Sequence, residues 1–143
     1  MSVVDDCVFC EILAGRLPAS FVLRDSGCTA FMDIQPINAG HVLVVPNDHA
    51  ASLADLPELT GAQMFRTARQ VVAALYESGL ECEGVNLFLA DGEAAGQDVF
   101  HVHLHVFPRY AGDGFGLRLG PGYAKIPDRE ELEEAAKRIR DAL

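Results

Sequence analysis

With 143 residues the chain is the size of one ordinary domain, and half of it is apolar, enough for a buried core. Acidic residues outnumber basic ones by 21 to 11, and the formal charge of −10 with no Lys/Arg run argues against a nonspecific nucleic-acid surface or an anionic membrane as partner. No apolar run reaches membrane-span length, and the start Met1-Ser2-Val3-Val4-Asp5-Asp6 has no basic region or apolar signal core, so a cytoplasmic protein is expected.

Four cysteines, two of them as Cys7-x-x-Cys10, suit a metal or a redox site in a reducing compartment better than a disulfide framework. Cys7 to Leu13 reads as a short helix ended by Gly15, with Val8, Phe9 and Ile12 apolar. Phe21 to Arg24 and Thr29 to Asp33 read as a hairpin closed by Asp25-Ser26-Gly27, with Cys28 an ordinary strand residue. Gly40 to Pro46 forms a third strand, with His41, Leu43 and Val45 on one face and Val42 and Val44 on the other. His49 follows in a loop.

From Pro57 to Ser78 the spacing of Leu59, Met64 or Phe65, Ala68, Val71 or Val72 and Leu75 predicts a long packing helix that Gly79 stops. Val85 to Ala90 is a fourth strand. It leads into Asp91 to Asp98, a loop whose Gly92 and Gly96 could let the backbone approach a phosphate and form an anion nest, with Gln97 and the Asp98 amide as further donors.

Phe100 to Arg109 alternates with period two, which in a strand sends His101, His103, His105 and Phe107 to one face and Phe100, Val102, Leu104 and Val106 to the core. Same-face neighbours lie about 6.6 Å apart, so His101 and His105, about 13 Å apart, cannot share one metal ion without a bend. The row is either divided between tasks, as proton or phosphate chemistry would require, or is a solvated edge-strand face rich in histidine. Beyond it, Ala111 to Tyr123 reads as a Gly-rich loop near the active site. Asp128-x-x-Glu131 then caps a helix with Leu132, Ala135, Ala136 and Ile139 on one face and a solvated Glu cluster near its start.

Residues 101 to 107 match His-φ-His-φ-His-φ-φ at every position, where φ is apolar. The chain thereby resembles the histidine triad (HIT) nucleotide-binding hydrolases and transferases. The likeness extends from Cys7 to about Tyr110, through Cys7-Val-Phe-Cys-Glu-Ile-Leu-Ala-Gly15, Phe31-Met32-Asp33-Ile34, Gly40-His41-Val-Leu-Val-Val-Pro46 and Gly92-Glu-Ala-Ala-Gly-Gln97.

The resemblance implies an α+β fold of about five antiparallel strands with a long packing helix, a short N-terminal helix and a C-terminal helix. It implies a single HIT domain over 1–143, with 111–143 a loop and helix extension, and a homodimer paired across the long helix and a sheet edge. It makes His103 the nucleophile toward an α-phosphorus and His105 a protonated contact to a phosphate oxygen or leaving group. His41 supports the triad, Asp33 holds ribose hydroxyls, and Val8, Phe9, Ile12 and Ile34 help form the nucleotide site. Gly96, Gln97 and Asp98 face the phosphate. Zinc-containing relatives imply a structural zinc held by Cys7, Cys10, His49 and His101.

The activity implied is hydrolysis of nucleoside phosphoramidates or related conjugates. A dinucleoside polyphosphate hydrolase or phosphorylase, and a nucleotide-binding regulatory module, are the alternatives. One departure is Ala90, where relatives of the phosphoramidase branch commonly carry Asn.

Overall fold

The segment Val42–Pro46 has no polar side chain to turn toward water, and it is buried along its whole length. In the structure, a computed structural model that describes residues 6–143, this segment is strand β3. The others are β1 Phe21–Arg24, β2 Cys28–Met32, β4 Gly84–Phe88 and β5 Leu104–Arg109, with helices α1 Val8–Leu13, α2 Glu58–Glu77 and α3 Arg129–Ala142. All pairings are antiparallel and the order is β1-β2-β3-β5-β4, so β3 is the central strand of an α+β fold. Two compact units follow from the contacts: the first ends at Asp113 and the second is Gly114–Leu143.

Strand alternation divides the apolar residues between two cores. Cys28, Ala30, Val42, Val44 and Val106 pack with Met64, Ala68, Val71 and Leu75 of α2, while Phe31, Leu43 and Val45 pack with Phe9, Cys10, Ile12 and Leu13 of α1. Because β2 and β3 are covered on both sides, β3 reads as a continuous apolar run and β2 departs from one only at Thr29, whose hydroxyl donates to Asn47 Oδ1. The β1–β2 turn is tied by Asp25, whose Oδ1 accepts the Gly27 and Cys28 N–H groups at 2.9 and 3.0 Å. Cys28 is more than a neutral strand position, since its Sγ sits 3.1 Å from Thr67 Oγ1 and joins β2 to α2.

Three expectations need correction. The histidine strand begins at Leu104, not Phe100, because the Val102 N–H donates 2.8 Å to Ala50 O in a loop instead of to a neighbouring strand. The chain bends there and Phe100 is 51% exposed rather than in the core. On α2, Met64 takes the buried position and Leu59 and Phe65 stay exposed, since the helix lies on the sheet with a narrower stripe than the spacing allowed. β4 also stops at Phe88, short of Ala90.

In the second unit α3 begins as its capping signal requires: Asp128 Oδ1 accepts the Glu131 N–H at 2.8 Å. Glu134 and Glu133 pair with Arg138 and Arg140, so the acidic residues are spent on exposed ion pairs. Among the described residues no helix is long and apolar enough to cross a membrane.

Candidate functional site

The antiparallel register sets Leu43 opposite His105 and Val42 opposite Val106, which places His41 and the histidine row on the sheet face that α1 covers. Phe9 of α1 meets both His101 and His103 edge-on, at ring centroid distances of 5.8 and 5.1 Å. His103 and His105 are themselves 4.9 Å apart. One face thus carries four imidazoles, and three backbone groups, with His41 acting on His105, decide where each holds its proton.

A carbonyl oxygen can only accept, so each ring nitrogen facing one must carry hydrogen. His103 Nδ1 lies 2.8 Å from His101 O, which leaves Nε2 with a free lone pair. His101 Nε2 lies 2.8 Å from Pro46 O, which leaves its Nδ1 as the lone-pair nitrogen. At His41 the logic is reversed: the Ile37 N–H donates to Nδ1 at 3.0 Å, so neutral His41 carries its proton on Nε2. That N–H reaches His105 Nδ1 at 2.9 Å, and the remaining proton of neutral His105 is on Nε2.

Burial, then proximity to His103 and His41, pushes His105 down to about 4, so it is neutral near pH 7. Without ligand, His105 offers a neutral N–H whose direction the His41 relay fixes. His41 is likewise lowered, chiefly by burial and against the pull of the Asp33 carboxylate.

Beside these rings lies a cavity of about 320 Å³. Its walls include Val8, Phe9, Ile12, Leu17, Phe31, Leu43 and Val99, with Asp33, Asp98, His103 and His105 as polar groups. A mostly apolar cleft with a few convergent polar atoms is the usual form of a small-molecule site. Ile34, at its mouth, is 93% exposed. Leu17, Phe31 and Leu43 were not singled out from sequence, where they look like ordinary core; only the opening between α1 and the sheet makes them a wall.

Asp33 offers Oδ2 at 3.5 Å from His41 Nε2 and 3.9 Å from His105 Nδ1, while Oδ1 accepts the Gln35 N–H. These three side chains are close enough to hold a metal ion. Their protons argue otherwise, because a metal on His41 Nε2 would move the ring's hydrogen to Nδ1, against the Ile37 N–H.

The glycine loop departs from the expected anion nest. Gly92 and Gly96 both have positive φ, +95° and +91°, but their N–H groups turn inward, to Gln97 Oε1 and Glu93 O. The Gln97 side-chain amide donates to Ala51 O and Val99 O, so neither Gly96 nor the Gln97 side chain presents a donor to a phosphate. Their work is to hold the loop. Asp91, next to Ala90, accepts the Leu53 N–H instead of facing the cavity. Asp98 does line it, with Oδ1 3.6 Å from His103 Nε2, so its carboxylate joins the amide named from the sequence as a group at the site.

Cys7, Cys10, His49 and His101 converge with all four ligand atoms within 4.8 Å of one another. Tetrahedral zinc with these bond lengths has edges of about 3.3 to 3.8 Å. Cys7 Sγ to His101 Nδ1 is 3.4 Å, Cys10 Sγ to His101 Nδ1 3.6 Å and Cys10 Sγ to His49 Nδ1 3.4 Å. His101 is pushed down to about 4, mainly by burial, and so is neutral as a ligand must be. The donor set fits zinc, and the Pro46 carbonyl supplies the outer partner that orients a ligating histidine.

The HIT domain family pattern matches residues 14–112. This chain belongs to the HIT family. It is 31% identical over 138 residues to adenosine 5'-monophosphoramidase hnt1 of Schizosaccharomyces pombe, covering 96% of this chain and 98% of that one. A HIT family protein of Bacillus subtilis superposes with a TM-score of 0.88 at 34% identity over 97% of this chain and 98% of that one. A zinc-bound histidine triad protein of Mycobacterium smegmatis superposes with a TM-score of 0.75 at 39% identity, covering 96% and 98%.

His105 generates a prediction for acid stability. Its folded value of about 4 lies below the ordinary 6.5, so the unfolded chain binds the proton more readily and the native state is favoured in full only above about pH 6.5. That contribution is lost as pH falls from about 6.5 to about 4. Thermal unfolding across this range is expected to show a falling midpoint, with a shallower fall in His105→Gln; equal slopes in the two proteins would count against it.

Proposed function

We propose that this chain is a hydrolase that cleaves the α-phosphorus bond of nucleoside phosphoramidates or related nucleotide conjugates through a nucleotidyl-His103 intermediate. The observation that carries the reading is the His103 tautomer: the His101 carbonyl holds hydrogen on Nδ1, and the Nε2 lone pair borders the cavity. The phosphoramidase activity named for the fission yeast relative supports the same class.

In the first step Nε2 forms a bond to phosphorus, the bond from phosphorus to the leaving nitrogen breaks, and its electron pair goes to that nitrogen. The amine takes up a proton from solvent as it leaves, and neutral His105 contributes a hydrogen bond, not its own proton. His105, with its proton on Nε2, is placed to donate to a phosphoryl oxygen or to the leaving group, and His41 holds it in that orientation. Water then attacks the phosphorus, loses a proton to solvent and displaces His103, whose bond to phosphorus breaks to restore the lone pair. Asp33 Oδ2 is the acceptor for a ribose hydroxyl, and Phe9, Ile12 and Ile34 flank the base.

Replacing the nucleophile is expected to cost at least about 10³-fold in turnover in His103→Ala, with nucleotide binding largely kept. Quenched single-turnover reactions with adenosine phosphoramidate should trap an adenylyl group on His103. An adduct on another residue would reject the assignment. In the same assay a 2'-deoxy substrate should be disfavoured by the wild type and less so by Asp33→Ala, because an unpaired desolvated oxygen is what penalises the missing hydroxyl.

For the Cys2His2 cluster the reading is one structural zinc per chain. With four protein ligands it would leave no open position, and it would supply stability by joining α1, the loop after β3 and the segment before β5. Cys7→Ser and Cys10→Ser are expected to lose the metal and melt at lower temperature, while His103→Ala keeps it. Elemental analysis after purification without chelator decides this, and a full equivalent of zinc in Cys10→Ser would defeat it.

A homodimer is part of the same proposal. β4 is a sheet edge whose Leu87 and Phe88 are exposed, and α2 leaves Leu59, Phe65 and Tyr76 uncovered. Analytical ultracentrifugation should report a dimer that Phe65→Glu weakens; a monomer at micromolar concentration would exclude it.

A further inference from the structure

The residue that the reaction as described does not use is Asp98. Its side chain is 83% exposed, yet it is held: Oδ1 accepts the Val99 N–H at 2.9 Å and lies 3.6 Å from His103 Nε2. It also stands on a boundary. Asp98, Val8 and Val99 line both the nucleoside cavity and a second hollow, whose other walls are Asp6, Ala51, Phe100 and, from the Cys2His2 cluster, Cys7 and His49. Phe100 is half exposed there, displaced from the core by the bend that precedes β5.

A phosphorus under attack must come within about 3.5 Å of Nε2. With Asp98 3.6 Å from the same nitrogen, the carboxylate and the phosphoryl group are at most about 7 Å apart, inside the screening length of physiological salt. Their repulsion is not offset locally. Among the described residues no lysine or arginine lines either hollow, and the nucleoside cavity carries a second carboxylate, Asp33. Every additional negative charge on a leaving group adds to this cost, whereas a cationic leaving group recovers part of it. The second hollow is suited to such a group, having the Asp6 and Asp98 side chains among its walls and no lysine or arginine.

We propose that Asp98 is a specificity-determining residue that selects leaving groups by charge, favouring amines, above all those bearing a second positive charge, over polyphosphate. The inference rests on the hydrolase reading given above and names the substrate class within it. Asp98 acts through its charge, so the signature is a change in the ratio between substrates, which a general loosening of the loop would not produce.

The test is a charge series on the intact protein: adenosine 5'-phosphoramidates of a diamine with one free ammonium and of a neutral alkylamine of equal length, together with diadenosine tetraphosphate. kcat/KM is measured for the wild type, Asp98→Asn and Asp98→Glu at low and physiological salt. The wild type should rank them cationic, neutral, polyphosphate. Asp98→Asn should narrow the cationic-to-polyphosphate ratio roughly tenfold, as expected for one partly screened charge at this range, and Asp98→Glu should restore most of it. Added salt should narrow the wild-type ratio as well. A ratio unmoved in Asp98→Asn, or a wild type that prefers the tetraphosphate, would overturn the charge filter while leaving the hydrolase reading intact. Failure of the wild type to cleave any of the three would overturn the hydrolase reading itself.

Discussion

Two backbone carbonyls govern the chemistry that this fold can perform. Pro46 O, at the end of β3, takes the Nε2–H of His101; His101 O, in turn, takes the Nδ1–H of His103. The first bond points a lone pair at Cys7 and Cys10, and the second points one at the cavity. A side chain with two possible tautomers is thereby reduced to one at each position, at the cost of ordering only groups that are already buried. Residue 101 therefore serves both places, its ring facing the cysteine cluster and its carbonyl orienting His103. Anything that shifts the 99–103 segment disturbs both.

The second pair of imidazoles is set from the opposite direction, by a backbone donor. Ile37 N–H fixes His41, and His41 fixes His105. Burial keeps His105 neutral near pH 7, so the arrangement supplies an aimed N–H and not a positive charge. No lysine or arginine is among the residues that line the cavity, so its polar character comes from preorganised neutral imidazoles and from carboxylates. Among the described residues no lysine or arginine lines the hollows on either side of the exposed Asp98 carboxylate.

The glycine loop illustrates how local chemistry can mislead. Gly92 and Gly96 do adopt the positive φ that a nest requires, so the sequence signal for unusual backbone was sound. Which way the N–H groups point is a separate matter. Gln97, buried against Ala51 and Val99, takes the Gly92 N–H and Glu93 O takes that of Gly96, so both turn inward and the loop supports Asp98 and the bend before β5.

The amino-acid sequence by itself determined the elements whose signals are local or periodic. These are the helix stopped at Gly15, the Asp25-Ser26-Gly27 hairpin, the buried run Val42–Pro46, the long α2 and the Asp128 cap, together with the histidine row that marks the family. It could not place Phe100, because period two continues through residues 100 to 103 although Val102 hydrogen-bonds to the Ala50 loop instead of a strand. Nor could it choose between Met64 and Phe65, both apolar and adjacent on the helix, until the sheet supplied a surface for one of them. Proton positions, the convergence of four ligands from three segments, and the approach of Asp98 to His103 are relations between residues far apart in the chain or across a bend. Only the tertiary structure decided them, because each depends on a distance of a few ångströms that no spacing along the sequence encodes.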